Sequence, residues 1–473
     1  MADSELWRRE ACAIVDSLRR GEVSPHDLLD ALEARIAAVD PAVNALPTLC
    51  FERARAHADR LLRQPPAERG LLAGLPVAIK DLTDVAGVRT TYGSPIFTDH
   101  VPARSDIMVE NLESRGAIVY AKSNTPEFGA GANTFNEVFG FTRNPWNPAR
   151  SAAGSSGGAA VALATGMAWL AQGSDLGGSL RNPASFCGIV GMRPSLGRVA
   201  RTPVAKVDRT LSANGPMART VEDLALLLDA MAGEHPADPL SLPALPAPFL
   251  TAARSGARPK RIAYSADLGV TPVAPEIAAI TRKAADRIAD AGFTVEEAHP
   301  DLTGVHECFH VLRAYDYAVS KAALLRTHRD LLKPEVIWNI EKGLKLTIDD
   351  LERAEATRVT LTERALAFFS RYDLLLTPAT IVPPFPVEER YVTQCAGTKF
   401  TNYLDWLAIA YAITMVCCPA LSLPCGFTSE QLPVGLQIAG PPRSEAHILA
   451  AAKLFEDILG LRGKTPIDPR PAR

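Results

Sequence analysis

Charge of one sign is what this 473-residue chain lacks most plainly: 50 Lys and Arg stand against 53 Asp and Glu, a formal net charge of −3. Nucleic acid and anionic membranes are usually met with a basic patch, so neither is an expected partner. Long apolar runs are also missing. The nearest approach, WLAIAYAITMVCCPALSLPCGF from Trp406, is interrupted by Pro419 and Pro424. The part before Pro419 falls well short of the roughly 20 residues a membrane span needs. A buried core helix followed by a buried strand is expected there. The N-terminus mixes charged and apolar residues at helical spacing, without the apolar stretch and cleavage pattern of a secretory signal. Cys12, Cys50, Cys187, Cys308, Cys395, Cys417, Cys418 and Cys425 show no framework spacing. They read as reduced, mostly buried thiols of a cytoplasmic protein. No internal repeat or low-complexity tract is seen.

What is present is an ordinary globular composition, 47% hydrophobic and 22% charged, with enough apolar material for a large core. Length alone allows up to three domains, although large α/β domains also reach this size. Residues 5–65 read as amphipathic helices broken at GEVSP. Short apolar runs bounded by glycine, proline or charge are expected to be buried strands: LPVAI before Lys80, AIVYAKSN, RPKRIAYSADLG, YDLLLTPAT, PALSLPCG and VGLQIAG. AAVALATGMAWLAQGSD reads as one small-residue apolar helix, and FCGIVGMRPSLGRV as a strand with turns. Residues 273–292, 348–370 and 444–459 read as helices, and 236–259 as a connecting segment. Alternating strands and helices predict an α/β fold whose sheet is largely buried.

Three local motifs carry weak signals. HECFH, His306 to His310, fits the zinc-peptidase pattern, but no third-ligand motif follows, and a chance match on a polar helix face is the better reading. GAIVYAKS resembles a phosphate-binding loop, but Ala121 replaces the glycine before Lys122, and a strand runs where the loop should be. GSSGG around Ser156 fits a nucleophile elbow. An elbow must follow a buried strand, whereas the Pro/Asn-rich TRNPWNPARSAA stands upstream.

A stronger signal is a constellation: Lys80 at the end of a buried strand, Ser155 in a Gly/Ser loop and Ser179 in the second Gly-rich loop, QGSDLGGSLRNPASFCG. No histidine lies near Ser179, so a serine nucleophile there needs another base. A lysine can serve if burial keeps it neutral. Lys80 paired with Asp81 or Asp84 on the surface is the competing reading. Gly177 and Gly178 permit backbone conformations that let successive amides converge on one point, as an oxyanion hole requires; a tight structural turn uses the same glycines. Asp175 and Arg181 could brace the loop as a bidentate ion pair, or be polar groups at its rim.

The chain resembles the amidase signature family of serine hydrolases. The matching stretches are GLPVAIKD, KSNTPEFG, FTRNPWNPARSAAGSSGGAAVALA, GSDLGGSLRNPASFCGIVGMRPSLGRV, GPMARTVEDLALLLDAM, LLLTPAT and PALSLPCG…LPVGLQIAG, in the family's order over nearly the whole chain. The resemblance implies a Ser-Ser-Lys triad. Ser179 attacks the carbonyl, Ser155, held by a cis peptide, takes its proton, and neutral Lys80 is the ultimate base. The amides of Leu176, Gly177, Gly178 and Ser179 hold the oxyanion. Ser156, Asp175, Arg181 and Gly129 support the site. The implied fold is a large mixed central β-sheet sandwiched by α-helices in one domain, 1–473. Its parts are N-terminal helices (1–65), a signature core (66–235), a variable substrate-side region (236–370) and a C-terminal part of the core (371–473). No metal and no cofactor are implied, only an amide substrate and water.

Two departures matter. Ala153 stands where many members have glycine, which affects the loop before Ser155. TLSANGPMART replaces the SSLDQ usual in the aminoacyl-tRNA amidotransferase branch, which favours a free-standing amidase over a glutaminase-type subunit. The expected substrate is a small or medium carboxamide, hydrophobic or aryl, with esters and carbamates (urethanes) open to the same attack. TIVPPFPVEERY and the helices near Tyr315 to Trp338 are candidate pocket walls. Oligomeric state stays open, a homodimer included.

Overall fold

The apolar runs become strands of one 11-stranded mixed sheet in the computed structural model, which describes residues 5–203 and 210–471. The strands are β1 (Thr48–Leu49), β2 (Pro76–Lys80), β3 (Ile118–Ser123), β4 (Leu170–Asp175), β5 (Val190–Arg193), β6 (Ala213–Ala218), β7 (Arg261–Tyr264), β8 (Thr294–Glu297), β9 (Leu374–Pro378), β10 (Ala420–Phe427) and β11 (Pro433–Ala439). Their order across the sheet is β1-β3-β2-β4-β6-β5-β10-β11-β9-β7-β8. β2 runs parallel to β3 and β4, and β7 runs parallel to β8 and β9; the other neighbours are antiparallel. Every residue of β2, β3, β5, β9 and β11 is buried. Strands covered on both faces have no polar side to alternate with, which explains their continuous apolar runs.

Helices form where local signals agree with packing. Ser24 and Asp27 make a capping box with Pro25 in the first turn, and they start the helix Pro25–Val43. The helix Gly157–Ala164 is apolar on all sides and every residue in it is buried, as suits a core helix lying against the sheet. The expected helices at 273–292, 348–370 and 444–459 are Pro275–Asp290, Ile348–Phe369 and Glu445–Leu459. The run from Trp406 contains the buried helix Ala408–Met415 followed by β10.

One expectation fails. AAVALATGMAWLAQGSD is not a single helix: the helix ends at Ala164, Gly166 turns the chain at φ +76°, and Leu170–Asp175 is β4 in the middle of the sheet. A short apolar run has no period that separates buried strand from buried helix, so pairing decides. The connecting segment 236–259 also holds a short helix, Phe249–Ala253.

The register positions the site. Val77 pairs with Leu170 and Ala78 with Ala171 in the parallel pair β2–β4. Lys80 and Asp175 therefore leave the sheet at the same edge, the carboxyl end of parallel strands, where open α/β sheets form ligand crevices.

Candidate active site

Lys80 is fully buried, and its Nζ is surrounded by hydroxyls. Ser155 Oγ lies 2.7 Å away, Ser156 Oγ 2.9 Å and Ser174 Oγ 3.1 Å. The surface pairing with Asp81 does not occur. Asp81 instead meets buried Lys122 at 3.1 Å and accepts from Thr91, while Asp84 accepts from Tyr92 Oη. Burial lowers Lys80 from 10.5 to about 7, and the charge of Asp175 only partly opposes this. The result is a lysine that is largely neutral just above neutrality, in contact with the hydroxyl of Ser155.

Ser155 comes from the turn before the core helix Gly157–Ala164, and its peptide bond to Gly154 is cis. Ala153, the departure from the family pattern, sits at φ +56°, a left-handed conformation that favours glycine. Gly129 lies over Ser155 at φ +74°, and a Cβ there would stand 3.2 Å from Ser155 Oγ. Ser156 is fully buried and its amide donates to the carbonyl of Ser179 at 3.2 Å, tying the two glycine-rich loops together.

The second loop is built on a buried ion pair. Arg181 Nε and Nη2 reach the two oxygens of Asp175 at 3.0 and 2.9 Å, a bidentate contact with both side chains fully buried. Arg193 adds a second cation 3.7 Å from Asp175. Burial alone would raise the Asp175 carboxyl, but the two guanidinium groups outweigh it and hold it below its ordinary value. The same carboxylate accepts from the amides of Gly178 at 2.9 Å and Leu180 at 3.1 Å. It thereby fixes the turn, in which Gly178 sits at φ +113°. The Gly178 amide is thus spent on Asp175. Among the described residues the amides of Leu176, Gly177 and Ser179 donate to no protein oxygen, so these three are the open donors of the loop.

Ser155, Ser174, Leu176 and Ser179 open onto one cavity of about 540 Å³. Tyr317, Ser320, Lys321 and Leu324 of the helix Val305–His328 line it, so the first part of the stretch expected from Tyr315 to Trp338 forms a wall, whereas Trp338, on the next helix Pro334–Leu344, is not among the lining residues. TIVPPFPVEERY does not: Phe385 O and Val387 O accept hydrogen bonds from Ser151 and Asn133, and the segment packs beneath the loop before Ser155. Sequence reading missed the other wall, which comes from residues 82–106 and includes Tyr92, Phe97 and His100. Phe128 continues it, with Phe97 and Phe128 rings edge-to-face at 6.1 Å. The aromatic spacing around Phe97 carries no local motif that would have revealed it.

HECFH lies on the helix Val305–His328 behind the Gly-rich loop. His306 Nδ1 is 2.5 Å from Tyr411 Oη, and His310 faces Asp405 at 3.6 Å. Phe309 stacks on Tyr411 at 4.0 Å, and its ring would lie 3.2 Å from a Cβ at Gly177. The motif is therefore packing against the loop that carries Ser179. Among the described residues no group of three His, Cys, Asp or Glu is arranged to hold a metal ion.

With this fold and site in view, the family follows. The chain matches the amidase family model over residues 27–449 and belongs to the amidase signature family of amide hydrolases. It is 34% identical to an acylamidase of Rhodococcus erythropolis, with 99% of each chain aligned. It is 38% identical to a glutamyl-tRNA(Gln) amidotransferase subunit of Moorella thermoacetica, over 96% of this chain and 97% of that one. Among solved structures, a bacterial aryl acylamidase superposes with a TM-score of 0.90 at 26% identity, covering 97% of this chain and 99% of the other. The 6-aminohexanoate cyclic dimer hydrolase bound to substrate superposes with a TM-score of 0.89 at 26% identity, covering 98% and 100%. Among the described residues no helix is long and apolar enough to cross a membrane.

Proposed function

We propose that this chain is a free-standing cytoplasmic amidase, one domain over residues 1–473, that hydrolyses small or medium hydrophobic or aryl carboxamides through an acyl-enzyme on Ser179. The observation that carries this is the buried contact of Lys80 Nζ with Ser155 Oγ at 2.7 Å, beside a cavity that also exposes Ser179. Neutral Lys80 draws the proton of Ser155, and Ser155 in turn draws the proton of Ser179 as its Oγ attacks the carbonyl carbon. The open amides of Leu176, Gly177 and Ser179 stabilise the oxyanion, with Gly178 holding their geometry through Asp175. Ser155 then returns the proton to the leaving nitrogen, because an amine leaves poorly as an anion. Water enters, gives its proton to the same relay, and releases the acid from Ser179. Neither a metal nor a cofactor has a role in these steps. Esters and carbamates present the same carbonyl to the same groups.

The aromatic wall of Tyr92, Phe97 and Phe128 supports an apolar or aryl portion in the substrate. The similarity to an amidotransferase component supports a second reading, in which the chain is a glutaminase within a complex. Hydrolysis of a panel containing anilides, aliphatic amides, phenyl carbamates and glutamine by the purified chain separates the two. Turnover of anilides with glutamine inert is expected. Glutamine as the preferred substrate, or activity only after a partner is added, would overturn the proposal.

A further inference from the structure

The cavity that exposes Ser179 also contains a cation that the acyl-transfer relay does not use. Arg313, on the helix Val305–His328, lines the cavity and is only 5% exposed. Its Nε and Nη2 donate to Tyr403 Oη at 3.1 and 2.8 Å, and Nη2 also donates to Tyr317 Oη at 3.3 Å. These partners are neutral phenols. Buried guanidinium groups are ordinarily matched by a carboxylate, because an unpaired buried charge is costly. Among the described residues no carboxylate oxygen lies within 4.0 Å of Arg313, and its Nη1 donates to no protein atom. Asp316, one turn along the helix, makes no ion pair with it at that distance but adds its negative charge through space.

The cavity carboxylates Asp84 and Asp106 are engaged elsewhere. Asp84 accepts from Tyr92 Oη at 2.7 Å. Asp106 is occupied at both oxygens, by the amides of Met108 at 2.9 Å and Thr202 at 3.1 Å. The two tyrosines hold the guanidinium in place, so an incoming anion meets a donor that is already oriented. The aromatic group of Tyr92, Phe97 and Phe128 lines the same cavity, with Tyr92 and Phe97 centroids 5.1 Å apart.

We infer that Arg313 is a specificity-determining residue that binds a carboxylate of the substrate, so that the preferred substrates are amides combining an aryl or apolar portion with a free carboxylate. The word substrate here rests on the amidase proposal; the anion site itself does not. A charge-assisted bond at a buried guanidinium is stronger than a neutral one, and a neutral ligand would leave the cation with hydroxyl partners but no contacting counter-charge.

The test uses the full chain and two matched probes, 4-phenylbutanoate and 4-phenylbutanol, in titration calorimetry. Wild type should bind the acid at least about tenfold tighter than the alcohol, the scale of one charge-assisted contact. Arg313→Met should erase that preference, and Arg313→Lys should keep part of it. In parallel, N-phenylsuccinamic acid and butyranilide are compared as substrates. Wild type should favour the acid in kcat/KM, and Arg313→Met should remove the advantage through a raised KM with kcat little changed. Equal binding of acid and alcohol by wild type overturns the inference even if a variant fails to fold. An acid preference that survives in Arg313→Met also overturns it. If wild type prefers the acid through Arg313 but cleaves no amide, the anion site stands and the amidase proposal falls. If it cleaves both anilides equally, the reverse holds.

Discussion

In the proposed relay Lys80 can act as a base because burial strips it of water, which outweighs the opposing charge of Asp175. The neighbours of Lys80 are hydroxyls, the adjacent Asp81 is held by Lys122, and Asp175 is neutralised by Arg181 and Arg193. With Lys80 near 7 in the folded chain, kcat/KM for an uncharged amide should rise with pH through about 7 and level off above it. The same shift has a thermodynamic sign. Between about 7 and the ordinary lysine value of 10.5 the unfolded chain holds a proton at Lys80 that the folded chain does not, so stability rises with pH across that window. Comparison with Lys80→Met cancels the other titrating groups. The melting temperature of wild type relative to Lys80→Met should increase from pH 7 to pH 10. A flat difference would mean that Lys80 stays charged in the folded protein.

Two turns hold this chemistry in place, and each depends on a few contacts. The Ser179 turn rests on Asp175, which binds Arg181 and the amides of Gly178 and Leu180 together. Asp175→Asn leaves two buried guanidinium groups without their counter-charge. Breaking such a pair from one side should cost about 3–5 kcal/mol, read as a fall in melting temperature and in the denaturant midpoint. An effect below about 1 kcal/mol would place Asp175 among surface-like ion pairs. The Ser155 turn is covered by Gly129. In Gly129→Ala the new methyl would stand 3.2 Å from Ser155 Oγ, at a backbone φ of +74° that alanine adopts poorly. The displaced hydroxyl should cost about 10- to 100-fold in kcat, with KM for a neutral anilide little altered. An unchanged kcat would show that Ser155 has room to spare.

At the scale of the whole molecule, what the sequence disclosed depended on how local its cause was. Lys80, Ser155 and Ser179 each sit in a short local stretch, and the roles proposed for them follow from the family resemblance that those stretches carry. Asp175 and Arg181 are six positions apart, so one turn brings them together. β4 was misread as helix because an apolar run without alternation looks the same in either form until its neighbours pair with it. The wall from residues 82–106 was missed for a related reason. Tyr92, Phe97 and Phe128 meet only when the chain after β2 folds back over the loop after β3. Conversely, the proline-rich TIVPPFPVEERY has the composition of a pocket wall, yet it serves as packing. HECFH has the spacing of a metal site, yet it braces the loop before Ser179 through Phe309 and Tyr411. The proposed relay joins three separate stretches of the chain at one sheet edge. Intact-protein mass spectrometry after exposure to a fluorophosphonate tests it most directly. Wild type should gain one adduct, Ser179→Ala none, and Lys80→Ala the same adduct at a much lower rate. An adduct that persists in Ser179→Ala would contradict the assignment of the nucleophile, and an undiminished rate in Lys80→Ala would contradict the assignment of its base.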